Sequence, residues 1–211
     1  MPAQLPRLEE EEFARTLREL SPEPLDEETT SRLYAHYTEL RRWSPRLSLI
    51  GPGTAEEVLE RHYGESLSGL SSLPPDRPGT LLDLGSGAGF PGWVLAAARP
   101  GWTVYLVEKR ERKWAFLRAA SRRAQLSVRC VNARVGPRVP PDVETPLDVV
   151  TLRAVSPSPE IWSAVRSMLT ASGHLLWWAG EEPTFPPVFV VTDRLPLPGA
   201  ARRSLWIARP R

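Results

Sequence analysis

The sequence predicts an α/β fold, in which a mostly parallel, seven-stranded sheet has helices on both faces and follows an N-terminal helical extension. Two observations support this prediction. From residue 80 onward, short apolar runs rich in strand-forming residues alternate with segments of helical periodicity, a pattern typical of parallel sheets. In addition, the first apolar run stops abruptly in a glycine-rich turn, as expected where a buried strand leads into a helix.

Seven strands are predicted near residues 80–84, 103–108, 127–132, 147–152, 174–179, 188–192 and 205–208. The helices between them are predicted near residues 91–99, 110–124 and 158–170. Pro91 suits the first turn of a helix, where its missing N–H costs no hydrogen bond. In an open sheet of this kind, a ligand is expected across the carboxyl ends of the strands.

The N-terminal segment is predicted to be helical. Apolar side chains recur at helical spacing over residues 9–20 and again over residues 26–43. Thr54 and Glu57 match a capping box that begins a third helix. We therefore divide the chain into a helical extension, residues 1–75, packed on a core of residues 76–211, with one structural domain overall.

The composition excludes several classes of protein. No apolar run reaches about 18 residues, which excludes a membrane-spanning helix. The N-terminal run of four acids does not resemble a targeting peptide, and we expect a cytoplasmic protein. The single cysteine, Cys130, permits no internal disulfide and is predicted to be a buried strand residue. The three histidines lack metal-ligand spacing, so no metal is expected.

Charge is distributed unevenly along the chain. Residues 1–30 hold three arginines and nine acids, whereas the remainder holds 24 Lys or Arg residues against 16 acids. Seven of these cations fall between residues 109 and 123, where Glu111 is the lone acid. A basic body favours a polyanionic partner, although a solvated helix face explains the same cluster.

The glycine-rich turn carries the strongest functional signal. Asp83, Gly85, Gly87 and Gly89 fall at alternate positions directly after the first strand. An acid-x-G-x-G-x-G pattern is typical of the S-adenosylmethionine (SAM) loop of Rossmann-like methyltransferases. Residues 87–92 also spell G-x-G-x-x-G, which favours a dinucleotide, and a purely structural turn is a third reading. Because the turn begins at Gly85, the register favours SAM.

Glu108 ends the second predicted strand, 19 residues beyond Gly89. An acid at this position accepts hydrogen bonds from the hydroxyls of a bound ribose. Both SAM and NAD carry that ribose, so Glu108 indicates a nucleoside without separating the two. The alternative is an exposed acid that pairs with Lys109 or Arg112.

Five separated segments, in order and at matching spacing, resemble one family. They are residues 43–50, 61–67, 83–92, 108–117 and 148–154, and the resemblance extends over about residues 30–208. The Gly-Phe-Pro-Gly sequence at residues 89–92 is more specific than the glycines alone. The chain is similar to the ribosomal RNA small-subunit methyltransferase G family, also called glucose-inhibited division protein B.

The resemblance implies methyl transfer from SAM to N7 of one guanosine in 16S ribosomal RNA near the decoding centre. It implies a monomer that acts on the RNA or on the small ribosomal subunit. The residues expected to hold SAM are Asp83, Gly85, Ser86, Gly87, Gly89, Phe90, Glu108, Lys109, Arg134, Val135, Gly136 and Arg153. Among these, Val135 and Gly136 would flank the adenine.

The resemblance also implies that Arg153, at the end of the fourth strand, faces the reaction centre, and it is the expected catalytic residue. A contact with guanine O6 or a phosphate is one role, and a salt bridge that supports the loop is the other. Guanine N7 already carries an in-plane lone pair, so we expect no catalytic cysteine, histidine or metal. The residues expected to bind RNA are Lys109, Arg110, Arg112, Lys113, Arg202 and Arg203.

Three departures from the family pattern qualify the resemblance. Glu65 stands where the family usually has Asp, and Gly136 stands where it has an acid. Ala179 replaces a lysine near the substrate side of the fifth strand. Two other functions therefore stay open. One is methylation of a small molecule or a protein, and the other is a catalytically silent homologue that binds SAM or RNA.

Overall fold

A computed structural model describes residues 5–51, 53–134, 136, 138–140, 142–180, 182–199 and 202–211. Its centre is a seven-stranded sheet in the order β3-β2-β1-β4-β5-β7-β6. The strands are β1 (Thr80–Leu84), β2 (Thr103–Val107), β3 (Arg129–Val131), β4 (Leu147–Arg153), β5 (Leu169–Ala179), β6 (Phe189–Pro196) and β7 (Ser204–Pro210). β1 to β5 pair in parallel, and β7 lies between β5 and β6 and pairs antiparallel with both. The predicted mostly parallel α/β sheet is confirmed.

Helices begin and end close to the predicted positions. They are α1 (Glu10–Leu20), α2 (Glu27–Trp43), α3 (Ala55–Val58), α4 (Glu65–Leu67), α5 (Gly92–Ala98), α6 (Glu111–Arg123) and α7 (Pro159–Met168). A π-helical turn, Leu59–Gly64, joins α3 to α4, and a 3₁₀ turn follows over Ser68–Ser72. The capping box at Thr54 and Glu57 is confirmed in both directions. No helix in the described part of the chain is long and apolar enough to cross a membrane.

One hydrophobic cluster joins the extension to the sheet. Phe13 of α1, Leu33 of α2 and Tyr63 of the π-helical turn pack in the same buried cluster as Trp93 and Phe116 of the core helices. All five side chains have no more than traces of exposed surface. Burying a large aromatic or aliphatic side chain stabilises a fold by about 1.5–3 kcal/mol. The extension is therefore held to the core by the same burial that stabilises the core.

Two predictions about the outer strands need correction. Cys130 is half-buried rather than buried, because β3 is an edge strand and is covered on fewer sides than the central strands. β6 continues to Pro196, beyond the predicted end at residue 192. Most of its side chains are exposed on both faces, so the sequence there lacks the alternation that would mark its length.

Candidate active site

A cavity of about 540 Å³ opens at the carboxyl ends of β1, β2 and β4. Its walls come from the turn after β1, the end of β2 and the segments that follow β3 and β4. Leu49, Ile50 and His62 of the extension close one side. The volume lies within the range of about 300–1,000 Å³ for small-molecule sites. The position is the one where open α/β sheets bind ligands.

The glycine turn presents bare backbone to this cavity. Gly85, Gly87 and Gly89 have φ angles of +77°, +55° and +91°, which glycine adopts without strain. The N–H groups of Gly85 and Ser86 donate to the Val107 carbonyl at 2.9 and 3.0 Å, which ties the turn to the end of β2. The nearest described atom to a Cβ placed on Gly87 is 3.7 Å away. The turn therefore leaves room for a ligand against its backbone.

Glu108 stands beside the turn at the end of β2. Its Oε2 accepts a hydrogen bond from the Gly87 N–H at 3.0 Å, and its Oε1 accepts one from the Arg110 N–H at 2.8 Å. The residue is only 6% exposed, yet it lines the cavity. Each carboxylate oxygen can accept a further bond. The arrangement fixes a carboxylate at the wall of the cavity, and its contact with a ribose stays a prediction.

Asp83 lies beneath the turn and does not line the cavity. Its Oδ1 accepts a hydrogen bond from the Thr151 hydroxyl at 2.7 Å, whereas its Oδ2 has no partner among the described residues. A Cβ on Gly92 would overlap the Asp83 side chain, so glycine is required there. Burial raises the pKa of Asp83 to about 6. The carboxylate supports the turn from below, and its direct contact with a cofactor stays a prediction.

His36 of α2 braces the turn from the extension. Its Nε2 lies 2.9 Å from the Ala88 carbonyl oxygen, and its Nδ1 lies 2.7 Å from the Tyr63 hydroxyl. Burial lowers the pKa of His36 to about 4, so the ring is neutral at pH 7. A neutral ring has one N–H. Because a carbonyl only accepts, Nε2 donates to Ala88 and the Tyr63 hydroxyl donates to Nδ1.

His62 and Phe90 form a flat wall on the other side of the turn. Their rings are stacked, with centroids 5.0 Å apart and an angle of 29° between planes. Burial, followed by the charge of Arg153, lowers the pKa of His62 to about 3. Sequence reasoning assigned no role to His62. Its place in the matching segment 61–67 was the available signal.

Glu65 joins Arg153 to Arg203. The Glu65 carboxylate is 1% exposed and lies 2.8 Å from Arg153 Nη2 and 2.6 Å from Arg203 Nη2. Arg153 Nη2 also donates to the Arg61 carbonyl at 2.6 Å. Burial lowers the pKa of Arg153, while Glu65 acts in the opposite direction. The supporting salt bridge left open by the sequence is thus present, and a direct role for Arg153 in the reaction stays a prediction.

The predicted basic residues fall into three groups. Lys109, Arg110 and Lys113 line the cavity, and burial lowers the pKa of Lys113. Arg112 is exposed and lines an adjoining groove, where it donates to the Arg46 carbonyl at 3.1 Å. Arg202 is exposed on the segment before β7. Arg203, by contrast, holds Glu65 with both its Nε and its Nη2, so its guanidinium is largely engaged inside the protein.

The cavity brings together most of the residues expected to hold SAM. Those that line it are Gly85, Ser86, Gly87, Phe90, Glu108, Lys109, Arg134 and Arg153. Gly89 and Gly136 are described but lie outside the lining, and Val135 lies outside the described residues. Gly89 is fixed by packing instead, because a Cβ there would stand 2.8 Å from that of Trp93. Sequence reasoning missed Leu49, Ile50 and His62, which reach the cavity from the extension.

Comparison with a solved structure first defines the class. A SAM-dependent methyltransferase from Aquifex aeolicus superposes with a TM-score of 0.58 at 15% identity, covering 74% of this chain and 93% of that one. At this identity the likeness concerns the fold. The chain therefore has the Rossmann-like fold of SAM-dependent methyltransferases, and its glycine turn and Glu108 lie where such folds bind ligands.

Sequence comparison then gives the family. The family model described as rRNA small subunit methyltransferase G matches residues 29–184. The ribosomal RNA small subunit methyltransferase G of Rhodopseudomonas palustris (strain BisA53) is 37% identical over 164 residues, or 75% of this chain and 68% of the relative. That of Jannaschia sp. (strain CCS1) is 40% identical over 159 residues, or 72% of each chain. The chain belongs to the rRNA small subunit methyltransferase G family.

Proposed function

We propose that the protein transfers a methyl group from SAM to N7 of a guanosine in 16S ribosomal RNA near the decoding centre. It acts as a monomer in the cytoplasm, on the RNA or on the small ribosomal subunit. The observation that carries the proposal is the cavity that holds the glycine turn and Glu108 side by side and is edged by Lys109, Arg110 and Lys113, in a chain of this family.

The residues of the cavity fit the cofactor. SAM, when bound, supplies a methyl group on an electrophilic sulfonium centre. Gly85 and Gly87 offer backbone without a side chain, so the methionine portion fits against the turn. Glu108, oriented by two backbone N–H groups, accepts from the ribose hydroxyls. Arg134, after β3, lines the same cavity, next to the positions at which the family resemblance implies a contact with the adenine.

For methylation at guanine N7, the main contribution of the protein is to orient the two reactants, and no proton transfer is required. The N7 lone pair lies in the plane of the base and needs no deprotonation, so it would displace the thioether sulfur of SAM from the methyl carbon without a general base from the protein. Holding two reactants in line lowers a barrier by up to about 7–11 kcal/mol. The His62–Phe90 wall and the Glu65-bound Arg153 are positioned to orient the base, since both adjoin the cavity.

The test is methyl transfer from labelled SAM to small ribosomal subunits from cells that lack the native enzyme, followed by nucleoside analysis. We expect label in 7-methylguanosine with the native protein. Gly87→Arg fills the cavity and abolishes the label. Gly101→Arg is the matched control, because Gly101 is exposed, has no described atom within 4 Å of a Cβ, and precedes β2 at the opposite edge of the sheet.

Two other outcomes are informative. Label in a small molecule or a protein but not in RNA would overturn the RNA substrate and keep the cofactor. Binding of SAM and of subunits without turnover would identify a silent homologue. Ala179 is the residue that favours this second candidate, because it pairs with Ser204 at the end of β5 in place of the family's lysine.

A further inference from the structure

A second cavity, of about 310 Å³, adjoins the first. His62 lines both cavities and is their shared wall. Apart from Val58, the rest of its lining consists of charged side chains and glycines, among them Glu57, Glu60, Arg61, Gly199 and Arg203. It therefore lies next to the reaction site, is large enough for a planar base, and offers charged groups of both signs.

We propose that this second cavity receives the acceptor guanine, with the Watson–Crick edge of the base against Glu60 and N7 directed past His62 toward the cofactor cavity. The inference rests on the proposed function and names a binding site for its substrate. It commits to guanine rather than adenine because of the chemistry of the two edges of the base.

Guanine carries donors and acceptors on opposite edges. N1–H and the 2-amino group donate side by side on the Watson–Crick edge, N7 accepts on the Hoogsteen edge, and O6 accepts at the corner between the two. A carboxylate only accepts, and it can accept from two parallel donors. With N7 directed at the methyl group, the donor edge must face away from the cofactor cavity, where the carboxylates of the second cavity lie. Adenine has no donor at N1 and cannot make the same pair.

Glu60 is the carboxylate best placed for this contact. Its side chain packs so closely on Gly199 that a Cβ there would overlap it, and Gly199 has a φ of +61°. None of the ion pairs formed within the described part of the chain involves Glu60. Glu57 is partly engaged, since its Oε2 accepts from the Thr54 N–H at 2.7 Å.

The remaining lining residues suit a nucleotide. His62 is held flat by stacking on Phe90 and is kept neutral by burial and the surrounding arginines, so it adds no charge against the base. Arg61 is exposed and is placed to attract a flanking phosphate, whereas Arg203 is half-buried beside Glu65. Glu65 fixes Arg203 in this position through two hydrogen bonds.

The experiment compares Glu60→Gln with Glu56→Gln, an exposed neighbour on α3 that lines neither cavity. kcat/KM is measured on small subunits reconstituted with guanosine or inosine at the target position. We expect Glu60→Gln to lower kcat/KM on guanosine by about 10- to 100-fold, since hydrogen bonds to a charged group are lost. SAM affinity by calorimetry and the melting temperature should stay at the native values, and Glu56→Gln should match the native enzyme.

Inosine lacks the 2-amino group, so it distinguishes a hydrogen bond between the base and Glu60 from a role of Glu60 in packing alone. For the native enzyme, kcat/KM should be lower on inosine than on guanosine. For Glu60→Gln, the difference in kcat/KM between the two substrates should be much smaller. Equal losses in the two enzymes, or native kcat/KM in Glu60→Gln, would overturn the inference while the proposed function stands. Absence of methylation by the native enzyme would instead overturn the proposed function, and the inference with it.

Discussion

At the scale of single residues, Glu108 connects the binding of a ligand to the geometry of the turn. One carboxylate accepts from Gly87 in the turn and from Arg110 at the start of α6. Because both partners are backbone N–H groups, the side chain is fixed before any ligand arrives. Each of its oxygens can accept a further hydrogen bond, and the residue lines the cavity. A pre-oriented acceptor loses less freedom on binding than a mobile one.

Glu108→Gln should therefore weaken SAM binding by about tenfold or more, because hydrogen bonds to a charged acceptor contribute about 1.5–3 kcal/mol. The amide nitrogen would also face a backbone N–H, so one of two donors loses its acceptor. Isothermal calorimetry measures the effect. Glu111→Gln is the control, since Glu111 is exposed in the first turn of α6 and does not line the cavity. An affinity of Glu108→Gln within twofold of native would contradict the assigned role.

At the scale of elements, the helical segment from α3 to α4 connects the extension to the site. His62 reaches the cavity, the Tyr63 hydroxyl donates to His36, and Glu65 binds two arginines. These three residues lie in or directly after the π-helical turn. π-Helical turns often occur at functional sites because they redirect neighbouring side chains.

Tyr63→Phe tests this connection. It removes the donor to His36 Nδ1, so a fully buried ring nitrogen is left without a partner, at a cost of about 1–3 kcal/mol. Urea unfolding gives the change in free energy. Tyr34→Phe is the control: its hydroxyl donates to the Leu8 carbonyl at 3.0 Å in a half-buried place, where water can replace the lost bond. Equal losses of unfolding free energy in the two variants would show that the hydrogen bond from Tyr63 to His36 stabilises the protein no more than the one from Tyr34 to Leu8.

The same segment shows what sequence alone can predict. The capping box at Thr54 is local, and so the start of the helix was predictable from spacing. The contacts of Glu65 with Arg153 and Arg203 span 88 and 138 positions of the chain. No periodicity encodes such contacts, and the segment was recognised only through its family motif. The residues that reach the cavity from the extension were missed for this reason.

At the scale of the whole molecule, the mostly parallel sheet and the cavity at the carboxyl ends of its strands were predictable from alternation and from the glycine turn, whereas the order of the strands was not predicted. Strand pairing then brings Glu108, at the end of β2, beside the turn after β1. What sequence could not supply is the balance of buried charge. Asp83 and His36 are buried near the cavity and His62 is half-buried there, and tertiary contacts shift the pKa of each.

Buried ionisable groups predict loss of stability in acid. Burial lowers the pKa of His36 to about 4 and that of His62 to about 3, from an ordinary 6.5. Below about pH 6.5 both histidines therefore bind protons in the unfolded chain but stay neutral in the folded protein. Stability is lost as pH falls from 6.5, by up to about 1.4 kcal/mol per pH unit for each histidine. Asp83 has a raised pKa and takes up its proton in the folded protein first, so it adds stability as the pH falls below about 6. This single group offsets only part of the loss caused by the two histidines.

The measurement is the free energy of unfolding in urea between pH 7 and pH 4.5. His62→Phe keeps the stacking on Phe90 and removes one titrating group, so the slope between pH 6 and pH 5 should fall by about 1 kcal/mol per pH unit. His174→Gln, at a half-buried position whose pKa is also lowered, should change the slope less. An unchanged slope in His62→Phe would show that His62 is protonated in the folded protein.

A cluster of surface cations beside the cavity bears on the affinity for RNA. Lys109, Arg110, Arg112 and Lys113 lie together where the cofactor cavity meets the groove that contains Arg112. Each cation that neutralises a phosphate releases bound counterions, which steepens the salt dependence of binding.

Arg112→Ala should lower the magnitude of the slope of log Kd against log salt concentration by about 0.7–0.9, the share of one phosphate contact. Filter binding of small ribosomal subunits over about 50–200 mM salt measures the slope. Arg77→Ala is the matched control, since Arg77 is exposed and precedes β1 at the edge of the sheet opposite the cavity. If both variants keep the native slope, Arg112 contacts no phosphate. If both shift equally, the effect reflects net charge, and the RNA does not lie on this side of the cavity.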